Sequence, residues 1–174
     1  MSKFPRVDRW HIPRSVWSAS FDEMARDGRE GNEGVALWLG QRHDGIGTVS
    51  NVVVLRGPGV VKQPAFLEIS SALMNDVTDV AIELGAVLLG QIHAHGRGWS
   101  IDLSYTDRTY GIAHPSYLSL VAPDYGLRPD VLPADCGVHV FMPNIGFVRL
   151  SDHDAAQRVT LVDHPVAKPI VVGG

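Results

Sequence analysis

The run Ala86-Val-Leu-Leu-Gly-Gln-Ile-His-Ala-His95, opened by Gly85 and closed by Gly96, restricts the fold more than any other segment of this chain. A short, continuous aliphatic stretch bounded by glycines reads as a buried strand. Alternate residues of a strand face the same side, so His93 and His95 project together while Ile92 and Ala94 face the other way. Two imidazoles placed like this can share one zinc ion, which prefers nitrogen, sulfur and carboxylate ligands in tetrahedral geometry. Asp107 fits as the third ligand. The stretch Ser104-Tyr-Thr-Asp107 reads as a helix start, with Ser104 as N-cap and the Asp107 carboxylate in the first turn, where the helix dipole favours it. Three protein ligands leave a fourth position for water, which is the pattern of a catalytic zinc. Ser100 and Asp102 are rivals within the same loop, but only Ser104 stands three residues ahead of an aspartate. An ordinary capped helix accounts for Ser104 and Asp107 equally well, and capping and catalysis are compatible.

The remaining periodicities imply a single mixed α/β domain. Apolar residues at Val16, Ala19 and Met24 suit an amphipathic helix over Ile12 to Gly28, with Pro13 in its first turn. Val35–Arg42 and Thr48–Arg56 read as paired strands around Asp44-Gly45-Ile46-Gly47, a turn rich in residues that tolerate positive φ. Ile69–Leu84 repeats apolar residues at Leu73, Val77, Val80, Ala81 and Leu84, so a second helix precedes the histidine strand. Tyr117–Ala122, Val138–Met142, Gly146–Leu150 and Arg158–Val162 are strand candidates, with Pro143-Asn144 marking a turn.

A length of 174 residues suits one domain with a proper core, and no repeat or low-complexity linker divides it. With 45% hydrophobic residues and no long apolar run, disorder and membrane-spanning helices are not expected. Met1 to Asp8 carries no apolar stretch of the signal-peptide kind, so a soluble, cytoplasmic protein is expected. The single Cys136 permits no internal disulfide and reads as a small buried residue at a strand start. The deaminase signature of H-x-E with P-C-x-x-C is absent. A net charge of -4 without clustered Lys and Arg argues against a nucleic-acid surface. The other histidines, His11, His43, His114, His139, His153 and His164, read as ordinary polar residues, with His114 of interest because it follows the site helix.

Taken together, His93-x-His95 and Ser104-x-x-Asp107 resemble the signature of the JAMM (JAB/MPN, Mov34-like) zinc metalloproteases, whose pattern begins with an upstream glutamate of the form E-x-x-G-x-x-x-G. Glu33-Gly-Val-Ala36-Leu-Trp-Leu-Gly40 matches it with Ala36 in place of the first glycine, whereas Glu30 is followed seven residues on by Leu37. Three departures stand out. Eight residues separate His95 from Ser104, one more than the commonest spacing; Gly96 replaces a frequent proline; Ala94 replaces a frequent serine or threonine.

The resemblance covers most of the chain. It implies the JAB/MPN, cytidine-deaminase-like architecture, a single mixed sheet flanked by helices, over residues 1–164, with 165–174 as a C-terminal tail. It also implies zinc on His93, His95 and Asp107, with Glu33 as general acid and base and Ser104 as donor to the tetrahedral oxyanion. The implied reaction is peptide or isopeptide hydrolysis after the C-terminal glycine of a ubiquitin-like protein or its conjugate. Small bacterial members accompany ubiquitin-conjugation-like enzymes in antiphage systems, and others trim sulfur-carrier proteins. An extended tail is expected to bind by strand addition at a sheet edge, flanked by Gly57-Pro-Gly59 and by Pro123 to Pro133. A metal-free scaffold and a zinc-dependent module that holds a glycine tail without cutting it are the non-hydrolytic alternatives. The terminal Ile170-Val-Val-Gly-Gly174 resembles a ubiquitin-like tail, although a flexible terminus is the expectation.

Overall fold

A computed structural model describes residues 6–166 and 168–174. Eight strands run side by side: β10 (Val159–Val162), β1 (Arg9–Pro13), β3 (Ile46–Leu55), β2 (Val35–His43), β6 (Val87–Ala94), β7 (Leu118–Ala122), β8 (Gly137–Met142) and β9 (Gly146–Arg149). A ninth, β11 (Ile170–Val172), lies parallel to the end of β3 beyond β1. The sheet is mixed. β6 is antiparallel to β2 and parallel to β7, so the histidine strand sits in its middle.

Alternation along β2 explains the layering. Ala36 and Trp38 join the core on one face, where helix α1 (Arg14–Gly28) contributes Val16, Trp17 and Met24. Val35, Leu37 and Leu39 turn to the other face, against Leu73, Val77 and Ala81 of helix α2 (Ser71–Glu83). The strand rule therefore applies to β6 as well, with Ile92 and Ala94 in the α1-side core. The turn between β2 and β3 uses Asp44 and Gly45 at positive φ, +48° and +77°, as a two-residue hairpin with the native sheet twist demands.

Four expectations need correction. The first helix begins at Arg14, not Ile12, because Trp10 to Ile12 are used as the strand β1, paired with β10 on one side and β3 on the other. Tertiary pairing here outweighs local helix signals, and Pro13 takes an extended backbone at the cap position. Residues 60–68 carry no expected element and Ile69 is expected to open the second helix; instead they form the separate hairpin β4 (Val60–Gln63) and β5 (Phe66–Ile69), and α2 begins at Ser71. A further short helix, α4 (Asp152–Arg158), is capped by the Ser151 hydroxyl, which accepts from the Asp154 N–H. The terminus is not a free tail over 170–172: Ile170, Val171 and Val172 pair with Val53, Val54 and Leu55, and Val172 is buried in the α2-side core. That apolar burial holds the segment against chain entropy. Cys136 is buried just ahead of β8, and burial pushes its thiol up to about 12, the behaviour of an inert core residue.

Candidate metal centre

His93 lies within β6 and His95 directly follows it; both are buried. The short helix α3 (Tyr105–Tyr110) brings Asp107 to them. His93 Nε2 and His95 Nε2 are 3.2 Å apart, and Asp107 Oδ2 lies 3.5 Å from the first and 3.4 Å from the second. Ligands held tetrahedrally at about 2.0–2.2 Å from zinc stand about 3.3–3.6 Å from one another. The three atoms therefore already have the spacing of three corners of such a shell, and one ligand atom from each residue falls within 4.8 Å of the others.

The hydrogen bonds around these atoms suit the same use. His95 Nδ1 lies 2.6 Å from the Ser100 carbonyl oxygen and must donate to it, which leaves Nε2 as the nitrogen that faces Asp107 and would bind a metal on losing its proton. His93 Nδ1 is buried and has no hydrogen-bond partner among the described residues. Ser104 and Asp107 close a reciprocal capping box: the Asp107 N–H donates to Ser104 Oγ at 3.1 Å and the Ser104 N–H donates to Asp107 Oδ2 at 2.8 Å. Ser104 is exposed, and its hydroxyl proton remains available once its lone pair is used by the cap.

Glu33 is 5% exposed and sits just before β2, where its N–H donates to the Gln63 carbonyl. Burial pushes its carboxyl up to about 7; the nearby His95 works against the shift and the Asp107 carboxylate adds to it. Burial would likewise raise Asp107, but hydrogen bonds with His93 and His95, the charge of His93 and the Ser104 hydrogen bond hold it well below the usual carboxylate range. His95 is raised: burial opposes this, and the Asp107 hydrogen bond, the Ser100 carbonyl and the Glu33 charge outweigh it. Two acids and a base, pushed apart by their surroundings, thus share one buried spot.

The rivals within the loop have other work. Ser100 contributes its backbone carbonyl to His95, and its hydroxyl accepts from the Asp102 N–H. Asp102 faces away, to His139 and Arg108. His114 is not brought to the centre; its Nδ1 lies 3.2 Å from Arg42 and its ring packs edge-on against Tyr117.

Asp107 lines an open cleft of about 930 Å³, shared with Phe66 and Ile69 of β5, Met74 of α2, Gln91 of β6 and Tyr110 of α3. Neither Gly57–Gly59 nor 123–133 lines it. The second loop instead sends Tyr125 against Gly96, with its N–H donating to the His95 carbonyl at 2.7 Å and its hydroxyl to the Pro64 carbonyl. Sequence reasoning gave no role to Tyr125, and no motif marks it; positive φ at a tyrosine emerges only from the fold.

No protein-family profile matches the chain. A probable metalloprotease, y4jG, of Sinorhizobium fredii is 27% identical over 132 residues, covering 74% of this chain and 80% of that protein. The solution structure of protein DSY2949 from Desulfitobacterium hafniense superposes with a TM-score of 0.63 over 89% of this chain and 94% of its own, at 16% identity. That likeness concerns the fold. The distant relative is consistent with a metallopeptidase, and His93, His95 and Asp107 form a group able to hold a metal. Among the described residues no helix is long and apolar enough to cross a membrane.

Proposed function

We propose that this chain is a zinc-dependent peptidase of the JAMM type, which hydrolyses the peptide or isopeptide bond after the C-terminal glycine of a ubiquitin-like protein. The observation that carries the reading is the convergence of His93 Nε2, His95 Nε2 and Asp107 Oδ2 at ligand spacing, with the buried Glu33 electrostatically coupled to two of them. The metalloprotease name of the distant relative supports the reaction class.

Zinc in such a site supplies Lewis acidity, lowering the pKa of water toward ~7 and polarising a carbonyl. Glu33, whose carboxyl is poised near neutrality in the metal-free protein, takes the proton of the attacking water and returns it to the leaving amine. Ser104 donates its hydroxyl proton to the oxyanion that develops on the scissile carbonyl. The Ser100 carbonyl accepts the Nδ1 proton of His95, so Nε2 is the nitrogen that would bind the metal. For the tail itself, β5 pairs among the described residues only with β4 and its residues line the cleft that reaches Asp107, which suits strand addition by an extended segment.

The test compares wild type with Glu33→Gln on linear and isopeptide-linked ubiquitin-like fusions, with zinc quantified in both. Cutting after the glycine by wild type alone, at equal zinc content, is expected. Equal behaviour of the two proteins removes Glu33 from the chemistry, and zinc binding without cutting by either favours a module that holds the tail.

A further inference from the structure

The third ligand sits on a poorly anchored element. Helix α3 is six residues long and buries none of its side chains, with Tyr105 and Tyr110 both largely exposed. Burial of an apolar face is what usually fixes a short helix in place, so the position of Asp107 must be set in another way.

Asp102 is the group that does it. Its Oδ1 accepts from His139 Nε2 at 2.7 Å, from an Arg108 guanidinium N–H at 2.8 Å and from the Leu103 N–H at 2.9 Å. His139 is fully buried on β8, between β7 and β9 of the sheet. Arg108 belongs to α3, next to Asp107, and its second nitrogen donates to the Phe147 carbonyl of β9 at 3.0 Å. One carboxylate thus joins the helix carrying the metal ligand to a buried residue of the sheet. The Asp102 N–H also donates to Ser100 Oγ, within the residue whose carbonyl orients His95. Close packing at the same point confirms that the loop is seated on β8: a Cβ at Gly137 would collide with the Ile101 carbonyl oxygen. Burial alone would raise Asp102, but the hydrogen bonds from His139 and the Leu103 N–H together with the Arg108 charge outweigh it, so the group is a carboxylate at neutral pH. Burial also holds His139 below its ordinary value; its Nε2 faces the Asp102 carboxylate at 2.7 Å and its Nδ1 faces the Ser119 carbonyl at 3.3 Å.

We propose that Asp102 is a positioning residue for the metal centre, which through His139 and Arg108 holds the loop 96–104 and helix α3 so that Asp107 stays in reach of His93 and His95. The proposal rests on the metal reading above. It assigns Asp102 no contact with substrate.

Zinc affinity, measured by chelator competition on the full chain, tests it without any substrate. Loss of outer-shell support typically costs about 10–100-fold in metal affinity, and a loss of that size is expected for Asp102→Ala. Asp102→Asn, which retains an acceptor oxygen, should recover part of it. Arg108→Met cuts the helix side of the link, together with the Phe147 contact, and guards against misfolding of the first variant; it too should weaken zinc binding. With Co(II) in place of zinc, both Asp102→Ala and Arg108→Met should alter the visible absorption bands, a signature that loss of fold stability alone does not move. Melting of the metal-free proteins reports any purely structural share separately. Zinc affinity in Asp102→Ala and Arg108→Met within about twofold of wild type, against that 10–100-fold expectation, overturns the positioning role and leaves the metal centre standing. Failure of the wild-type chain to bind zinc overturns both.

Discussion

The His95 ring donates from Nδ1 to the Ser100 carbonyl at 2.6 Å, and this one hydrogen bond decides which nitrogen is free to bind a metal. A carbonyl can only accept, so Nδ1 carries a proton and Nε2, facing Asp107, is the nitrogen left to bind a metal. The loop between the histidines and the helix therefore contributes chemistry through its backbone, which a side-chain motif does not reveal.

His93→Ala, His95→Ala and Asp107→Ala each remove one of three converging ligand atoms. Each should weaken zinc by more than the about 10–100-fold that loss of an outer-shell partner costs. Chelator competition on the purified variants reads this directly, and near-wild-type affinity in any one of them would remove that residue from the ligand set.

Glu33 should destabilise the metal-free protein while serving the reaction. Its folded pKa is raised to about 7 from an ordinary 4.5, so the folded state favours the protonated acid. No penalty exists below the unfolded value; it grows as pH rises and is complete above about 7. Metal-free Glu33→Gln should then be more stable than metal-free wild type at pH 8, by at most about 3 kcal/mol, with the gap closing toward pH 4. Urea unfolding at the two pH values checks the sign. On cleavage the same substitution should lower kcat by about 10²–10⁴.

Ser104 has two roles that substitution can separate. Ser104→Ala should remove both the helix cap, worth about 0.5–2 kcal/mol, and the oxyanion donor. Ser104→Gly should keep most of the cap, losing only a few tenths of a kcal/mol, yet still lack the donor. Cleavage should fall about 10²–10³-fold in both, and thermal stability mainly in the alanine variant. Activity that follows stability across the pair would assign Ser104 to the cap alone.

Much of the centre is legible in the sequence because its parts are local. Period-two alternation puts His93 and His95 on one face, and the Ser104/Asp107 spacing writes a helix start. What stayed hidden depends on residues distant along the chain. Trp10 to Ile12 form a strand because β3 and β10 flank them, and Ile170 to Val172 because the end of β3 has a free edge there. Asp102 and His139 are 37 residues apart, so their bond has no local signature. The upstream glutamate is a third case: Glu33 could be singled out only through the family pattern, since a carboxylate ahead of a strand is ordinarily solvated.

Away from the centre, Glu23 of α1 is buried against Arg56 and Lys62. Burial alone would raise its pKa, but the Arg56 hydrogen bond and the two charges outweigh it and the carboxyl is held below its ordinary value. A depressed acid contributes stability above its unfolded pKa of 4.5, lost as pH falls through the folded value. Glu23→Gln should therefore cost stability at pH 7 and little in strong acid. Arg56→Met should cost about 1–3 kcal/mol at pH 7 by leaving the carboxylate underpaired. Denaturant midpoints measured across the acid range would show a flattened pH dependence in Glu23→Gln, and an unchanged slope would contradict the assignment.

The most direct test of the whole account is zinc quantification in the purified chain, followed by cleavage of a ubiquitin-like C-terminal fusion with and without a chelator. The account predicts one zinc per chain, cutting after the terminal glycine, and loss of cutting on chelation with recovery when zinc is restored. A protein that carries no zinc at neutral pH and leaves the fusion intact would contradict it.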